Sequence, residues 1–345
     1  MKIVVLAGGL SPERDVSLSS GALIANALIQ KGHQVALVDV YCGCPKAPSF
    51  IEASSAQRYA YEVPEKEPNL MELQKESGMG QRLIGDGVLE ACHAADLVFL
   101  ALHGDIGENG KIQAVLDTMG IAYTGSSYIG SLLAMDKDLS KQIMQRHQIA
   151  TPAWQVVSVQ EALQMEVILP CVVKPCSCGS SVGISVVATR EEYQQAVSYA
   201  AQYEDTIIIE EKIEGREFSV GILEGEALPA IEIIPRTGFY DYKNKYQPGL
   251  TEEVCPADIP EAVEQYLRQE ALRVHQVLRL GFYSRVDFIL NTQGAAYCLE
   301  ANALPGMTPT SLLPREAAAA GISYETLCEK IALDAWRRAQ SAKRK

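Results

Sequence analysis

Apolar runs alternate with amphipathic stretches over the first 125 residues, and this pattern predicts parallel strands joined by helices. Residues 3–7 form a continuous apolar run, a Gly-Gly turn and a helix ending near Gln30 follow, and residues 35–40 are again apolar. Continuous apolar strands of this kind are typical of a buried parallel sheet, and the succession is a β-α-β unit. A third run at 95–102 extends the sheet. The Gly-Gly turn lacks the GxGxxG spacing, so dinucleotide binding is not assigned.

The pattern changes after residue 125 to short strands mixed with helices. A single helix is predicted over 126–148, and a hairpin is predicted near the end of the chain, with Asn-Thr-Gln-Gly as its turn. Residues 41–90 are broken by proline and glycine, so we expect loops with one or two short elements. Further strands are predicted at 121–124, 154–159, 169–174, 184–187, 207–210, 218–223, 282–290 and 295–301, and further helices at 111–119, 159–166, 190–202, 260–280 and 325–340.

The C-terminal hairpin concentrates polar side chains on one face. Alternation along a strand places Arg285 with Asp287, and Glu300 with Asn302. Folding the hairpin about its turn brings Asp287 opposite Glu300, or one diagonal away. Facing carboxylates repel, and a bound cation relieves that repulsion; hard oxygen ligands of this type suit Mg²⁺. Gly306, just after the hairpin, can bring its backbone N–H close to a ligand. The alternative is a surface hairpin with solvated charges.

Other candidate residues lie in loops that follow strands. Glu13 and His103 come after apolar runs, where open α/β sheets carry their ligand groups. Glu13 could instead favour a helix start, and His103 could be satisfied by its loop backbone. The glycine-rich loop at 175–183 can wrap phosphate oxygens, although Lys174 precedes the glycines and this is not a P-loop. Residues 237–248 are predicted to form a loop that closes over the site.

Composition and charge exclude several classes of protein. The net charge of −13 over 345 residues argues against non-specific nucleic-acid binding. Nine cysteines without a regular framework indicate reduced thiols in a reducing cytosol. No apolar run approaches the ~18–20 residues of a membrane span, and the start of the chain has no signal-peptide pattern. We therefore expect a cytoplasmic protein with small-molecule partners and neither a nucleic-acid nor a membrane partner.

Taken together, the motifs resemble one family, the D-alanine–D-alanine ligases, which are ATP-grasp enzymes of bacterial cell-wall synthesis. The resemblance covers nearly the whole chain except residues 41–90. It implies an α/β protein with an ATP-grasp fold and an N-terminal Rossmann-like (pre-ATP-grasp) parallel-sheet domain. The expected domains are 1–125, 126–213 and 214–345. The motifs that carry the resemblance are SPERDVSL at 11–18, ALHGDIGENG at 101–110, MDK at 135–137, the segment 174–183, FYDYKNKY at 239–246 and the segment 285–312.

The resemblance implies a nucleotide site with bound metal. The cofactors implied are ATP and Mg²⁺, with two ions expected and Mn²⁺ as a substitute. The residues that match phosphate-binding lysines are Lys137, Lys174 and Lys245. The residues that match the adenine and ribose contacts are Glu210 and Glu217. Without the resemblance, the two glutamates could belong to a solvated acidic hairpin, and Lys137 could face solvent. The residues that match the metal ligands are Asp287, Glu300 and Asn302.

It also implies two amino-acid subsites. Glu13 is similar to the residue that orients the ammonium of the first D-alanine, with His103 nearby. Ser180 and Tyr246 match a hydrogen-bonded set that links Glu13 to two closing loops. Arg285 and the backbone N–H of Gly306 match the oxyanion-stabilising pair. Ser311 and Leu312 match the contacts to the second D-alanine.

The implied reaction is ADP-forming ligation of two D-alanines through a D-alanyl phosphate. The resemblance also implies a homodimer. Tyr246 is the residue type of dipeptide-forming members, which favours D-alanine over D-lactate as the second substrate and leaves D-serine open. Cys176 and Cys178 depart from the family pattern, and they raise the hypothesis of thiol sensitivity. Two alternatives are another ATP-grasp carboxylate–amine ligase and a nucleotide-binding regulatory protein with an inactive site.

Overall fold

The computed structural model describes residues 1–64, 68–179, 182–236, 238 and 249–342. The strands are β1 (Lys2–Ala7), β2 (Gln34–Asp39), β3 (Leu97–Leu100), β4 (Trp154–Ser158), β5 (Cys171–Pro175), β6 (Ser185–Val187), β7 (Thr206–Glu211), β8 (Gly215–Leu223), β9 (Glu226–Ala227), β10 (Ile231–Pro235), β11 (Thr251–Val254), β12 (Tyr283–Asn291) and β13 (Ala296–Asn302). The helices are α1 (Arg14–Gln30), α2 (Leu70–Ser77), α3 (Val88–His93), α4 (Asp105–Glu108), α5 (Lys111–Thr118), α6 (Tyr128–Met135), α7 (Lys137–Arg146), α8 (Val159–Ala162), α9 (Arg190–Ala200), α10 (Glu261–Val277), α11 (Leu312–Ala319) and α12 (Tyr324–Ala342).

The N-terminal part is the predicted parallel sheet, with strand order β2-β1-β3. Its central strand is buried from Ile3 onward, as its continuous apolar run requires. Helix α12, from the other end of the chain, packs on this unit and contributes Leu327 and Ile331 to the same core. The strand predicted at 121–124 is wrong, because Tyr123 forms only an isolated bridge with Val98.

Residues 41–90 contain two short helices among loops, as predicted. Part of this segment, which we call the strap (residues 59–64), lies against α1. The Asn26 side chain donates to Tyr59 O (2.8 Å) and accepts from Tyr59 N (3.0 Å). Tyr61 donates its hydroxyl hydrogen bond to Asp15. These contacts hold the strap along α1 to its N-terminal end, next to the cleft that Val63 lines.

The helix predicted over 126–148 is in fact two helices. The backbone leaves the helical region at Asp136, which has ψ 102°, and its carboxylate accepts a hydrogen bond from Leu139 N (2.9 Å). An Asp at this position is a strong N-cap, and capping outweighs the continuous helical pattern around it. Lys137 consequently begins a new helix, α7.

Two antiparallel sheets make up the rest. The first has strand order β4-β7-β5-β6, and the second has β11-β10-β8-β12-β13 with β9 paired to β8. The predicted hairpin is β12–β13, and its register pairs Asp287 directly with Glu300. A bulge follows, because Phe288 pairs with Cys298. Strands β9 to β11 and helix α11 were not predicted. Among the described residues, no helix is long and apolar enough to cross a membrane.

Candidate active site

A cleft of about 330 Å³ lies between the loops that follow β1 and β3 and the segment that follows β13. The sequence-predicted residues that line it are Glu13, His103, Arg285, Asn302, Gly306, Ser311 and Leu312. Val63 of the strap also faces it, although half of its surface remains exposed (51 %). Glu13 and His103 meet at this cleft because they follow β1 and β3, and the carboxyl ends of parallel strands lie at the same edge of a sheet.

Glu13 occupies the N-cap position of α1, but its side chain makes no capping hydrogen bond. The side chain is buried and packs on the loop after β3. A Cβ at Gly104 would lie only 2.6 Å from Glu13 Oε2, so glycine makes this approach possible. Ser11 Oγ donates to His103 O (2.9 Å) and joins the two loops. The position of the carboxylate therefore favours the ligand interpretation over the helix-start interpretation.

His103 is buried beside acidic groups. Its Nδ1 lies 3.5 Å from Glu108 Oε1. Burial opposes a charge on the imidazole, but Glu108 and Glu13 outweigh it and raise the pKa of His103. The residue is thus paired with a side chain rather than satisfied by its loop backbone alone. Glu108 was part of the quoted motif but was not singled out from the sequence.

Arg285 and Asp287 form a two-pronged ion pair on the face of the hairpin that lines the two clefts. The guanidinium donates from Nε to Asp287 Oδ1 (2.9 Å) and from Nη2 to Oδ2 (2.7 Å). Ser219 Oγ donates to Oδ1 (2.7 Å) and Asn302 Nδ2 donates to Oδ2 (3.2 Å). This fork fixes the guanidinium at the edge of the 330 Å³ cleft.

The donor set on this face fits a magnesium ion. Asp287 and Glu300 are direct cross-strand partners, and Asn302 is two residues beyond Glu300 on the same face. Asn302 also carries an amide oxygen, which would be a third oxygen donor on this face. Oxygen-only donors of this kind are those of a hard cation. Lys137 Nζ also lies 3.7 Å from Glu300 Oε2.

A close-packed turn follows the hairpin at Gly306. A Cβ there would lie 2.9 Å from Ser311 Oγ, and this hydroxyl accepts from Thr308 N (3.1 Å). Tyr324 donates its hydroxyl to Met307 O (2.7 Å). The turn is therefore held from both sides, by Ser311 and by Tyr324.

A second cleft of about 400 Å³ lies between the two antiparallel sheets. The sequence-predicted residues that line it are Lys174, Glu210, Glu217, Asp287 and Glu300. Glu210 Oε2 lies 2.8 Å from Lys174 Nζ and 2.9 Å from Lys141 Nζ. Burial would raise the pKa of Glu210, but the two ammonium groups lower it on balance. Lys141 was not predicted, although its position four residues after Lys137 places both on one face of a helix.

The start of the phosphate loop is anchored by Glu204. Its carboxylate accepts hydrogen bonds from Cys176 N (2.8 Å) and Ser177 N (3.0 Å). Lys137 Nζ donates to Cys178 O (2.6 Å), so Lys137 is buried and does not face solvent. Burial and Glu204 raise the thiol pKa of Cys176 to about 12 and that of Cys178 to about 11. These thiols stay protonated at neutral pH, which argues against the thiol-sensitivity hypothesis for this conformation.

Replacing Glu204 by glutamine should raise the KM for ATP by about tenfold. The amide retains one acceptor oxygen, but it loses the charge that strengthens the hydrogen bonds to the loop. Steady-state kinetics with ATP varied would measure the effect. Asp205→Asn, which changes the exposed neighbouring acid, is the matched control. An unchanged KM in Glu204→Gln would show that the loop does not need this anchor.

Ser180, Lys245 and Tyr246 lie outside the described residues. Of the closing loop predicted at 237–248, only residue 238 is described. Their roles stay predictions from the resemblance. The strap residue Val63 and the anchor Glu204 were missed, because long-range folding alone brings Val63 to the smaller cleft and Glu204 to the start of the phosphate loop. No local pattern in the sequence marks either of them.

Comparison with known proteins identifies the family of this chain. Two family models match, described as D-ala D-ala ligase N-terminus over residues 2–126 and D-ala D-ala ligase C-terminus over residues 141–332. The chain is 46% identical to the D-alanine–D-alanine ligase of Pediococcus pentosaceus, over 96% of this chain and 97% of that one. It is 41% identical to that of Lacticaseibacillus casei, over 95% and 93%.

Solved structures give the same answer. A D-alanine–D-alanine ligase from Bacillus anthracis, complexed with ATP, has a TM-score of 0.74 and 27% identity, with 99% of both chains covered. A second structure of the ligase from that organism gives a TM-score of 0.76 and 29% identity at the same coverage. The fold is accordingly the ATP-grasp fold with a parallel N-terminal sheet, as predicted. The chain belongs to the D-alanine–D-alanine ligase family.

Proposed function

We propose that this chain is an ATP-dependent ligase that joins two D-alanines into D-alanyl-D-alanine for peptidoglycan precursor synthesis. The observation that carries the proposal is that the two clefts meet at one hairpin. Arg285 and Asn302 face the smaller cleft, whereas Asp287 and Glu300 face the larger one. An amino-acid carboxylate in the first cleft would thus lie next to a nucleotide phosphate in the second.

The first step activates the carboxylate of the first D-alanine. A carboxylate is a poor acyl donor, and transfer of the ATP γ-phosphoryl group converts it into an acyl phosphate with a good leaving group. Glu13 would hold the ammonium of this D-alanine, and its buried position beside His103 supports that role. Lys137 and Lys174 would bind the phosphates, because both ammonium groups are buried at the larger cleft or the phosphate loop.

Asp287, Glu300 and Asn302 would hold magnesium, and Lys245 is a further candidate for phosphate binding. When bound, the metal offsets the negative charge that builds up on the transferring phosphoryl group. In the same region Arg285 carries a permanent positive charge, and its fork to Asp287 keeps it oriented toward the cleft.

The second step forms the peptide bond. The amine of the second D-alanine attacks the acyl carbon, and a tetrahedral oxyanion develops. Arg285 and the Gly306 N–H are the donors we assign to it, and losing one such donor costs roughly 3–4 kcal/mol. Ser311 and Leu312 line the same cleft and would contact the second D-alanine. Ser180 and Tyr246 are proposed, from the resemblance, to complete the closed site and exclude water.

Three further assignments belong to the proposal. The domains are 1–125 for the first D-alanine, 126–213 for the phosphate loop, and 214–345 for the metal and oxyanion sites. The protein acts in the cytoplasm, where ATP is available and its nine cysteines remain free. It works as a homodimer, as the resemblance implies.

The test is ADP release with ATP, Mg²⁺ and D-alanine, D-lactate or D-serine, alone and in pairs, with products identified by mass. ADP coupled to D-alanyl-D-alanine is the expected result. ADP coupled only to a mixed product would keep the mechanism but move the second substrate to D-serine or D-lactate. Wild-type protein that releases no ADP with any of them would overturn the ligase activity and favour a regulatory nucleotide-binding protein.

A further inference from the structure

The ammonium group of Lys141 is fully buried, yet it belongs to no part of the mechanism described above. The side chain has 0 % exposure and comes from α7. Its Nζ lies 2.9 Å from Glu210 Oε2 and donates to Thr151 Oγ1 (2.6 Å) and Pro152 O (3.2 Å). The ammonium thus donates two hydrogen bonds and forms an ion pair with the Glu210 carboxylate. It also lies 5.3 Å from the centre of the Trp154 ring.

The position of this lysine connects the two walls of the nucleotide cleft. Glu210, on β7, belongs to one wall. Thr151 Oγ1 in turn donates to Cys298 O (2.9 Å), and Cys298 N donates to Ala150 O (2.9 Å). Cys298 sits at the bulge of β13, two residues before Glu300 on the opposite wall. Lys141 is thus linked to one wall through Glu210 and to the other through Thr151 and Cys298.

Lys141, Glu210 and Lys174 form a charged cluster, and its net charge affects how the cleft can bind an anion. Glu210 is shared by Lys141 and Lys174, so two ammonium groups face one buried carboxylate. Such a cluster keeps one net positive charge to offer to an anion. Without Lys141, Glu210 would neutralise Lys174 completely, and the charge available to a phosphate would be lost. Burial lowers the pKa of Lys141 to about 8, which leaves it mostly protonated at neutral pH.

We propose that Lys141 is a positioning residue for the nucleotide, which holds Glu210 in place so that Lys174 remains free to bind a phosphate. The inference rests on the proposed binding of ATP and adds a residue to that site. Lys141 does not itself line the larger cleft, so it acts through Glu210 and not by direct contact with the nucleotide.

The test combines nucleotide binding with kinetics. Lys141→Met keeps the length and the apolar stem but removes the charge. Since a hydrogen bond to a charged group contributes about 1.5–3 kcal/mol, the Kd for ATP and the KM for ATP should rise by roughly 10- to 100-fold. The KM for D-alanine should stay within about twofold, because the smaller cleft is not altered. Gln142→Met, at the next and exposed position of the same helix, is the matched control.

A double-mutant cycle separates positioning from a general structural role. In a Glu210→Gln background, Lys141→Met should change the Kd for ATP by less than about twofold, because its effect passes through Glu210. An equal loss in both backgrounds, or a Lys141→Met protein that binds ATP as well as wild type, would overturn the inference. If Lys141→Met does not fold, Lys141→Gln takes its place in the cycle. Wild-type protein that binds no ATP would overturn the proposed function together with this inference.

Discussion

Replacing Asp287 by asparagine should lower kcat by about 10³-fold or more. Loss of one preorganised electrostatic group costs roughly 10²–10³-fold, and Asp287 holds two such groups, the proposed magnesium ion and the Arg285 guanidinium. Its carboxylate is a proposed magnesium ligand, and it also receives both prongs of the Arg285 fork. An asparagine amide would turn an NH₂ group toward the guanidinium or toward the metal. Neither arrangement restores the original contacts.

Magnesium dependence distinguishes the two roles of Asp287. If the residue binds the metal, the Mg²⁺ concentration that gives half-maximal ADP release should rise strongly in Asp287→Asn. Ser219→Ala is the control, since it removes one hydrogen bond to the same carboxylate (2.7 Å) and leaves its charge intact. The control should lose no more than about tenfold in kcat. Near wild-type activity of Asp287→Asn at ordinary Mg²⁺ would show that the metal assignment is wrong.

Glu300→Gln should likewise lower kcat and raise the Mg²⁺ requirement, since Glu300 is the direct cross-strand partner of Asp287.

The pairing of Asp287 with Glu300 was predictable from the sequence for a simple reason. A tight turn sets the register of a hairpin, and strand alternation then decides which side chains share a face. The bulge after Asp287 was not predictable, because nothing in the local pattern marks an extra residue.

The N-terminal sheet was predictable in the same sense, because buried parallel strands have continuous apolar runs. The helix break at Asp136 was missed because one polar residue interrupts an otherwise continuous pattern, and its capping geometry appears only in three dimensions. Lys137 was interpreted as solvent-facing on the residues alone, yet tertiary packing buries it against the phosphate loop. Long-range packing, which local sequence does not encode, decides these cases.

Helix α11 shows the same limit most clearly, through Glu316. The side chain has 0 % exposure, and neither carboxyl oxygen has a hydrogen-bond partner in the described part of the chain. It packs where Gly221 of β8 has no side chain, since a Cβ there would lie 2.5 Å from Glu316 Oε2. Arg315, one position earlier, instead reaches Glu253. A glutamate in an alanine-rich helix would ordinarily be expected to face water.

The burial of Glu316 has a consequence for how stability depends on pH. Burial raises the pKa of Glu316 from 4.5 to about 8, and the positive charge of Arg285 offsets this only in part. Between those two values the folded chain keeps the proton, whereas the unfolded chain releases it. The unfolded state therefore binds fewer protons, and the free energy of unfolding falls as pH rises from about 4.5 to 8. Above that range this contribution levels off.

Replacing Glu316 by glutamine should accordingly raise the free energy of unfolding at pH 8 by a few kcal/mol, since each unit of pKa shift corresponds to about 1.4 kcal/mol. Glutamine has nearly the same shape and cannot ionise, so the gain over wild type should shrink toward pH 5. Urea denaturation at several pH values would measure both effects, with the exposed Glu226→Gln as the matched control. A Glu316→Gln protein with the same pH dependence as wild type would mean that Glu316 is ionised and paired in the folded protein. In that case Arg285, whose positive charge favours the ionised form of Glu316, would interact with two carboxylates, those of Asp287 and Glu316. Less of its positive charge would then be available to the proposed reaction.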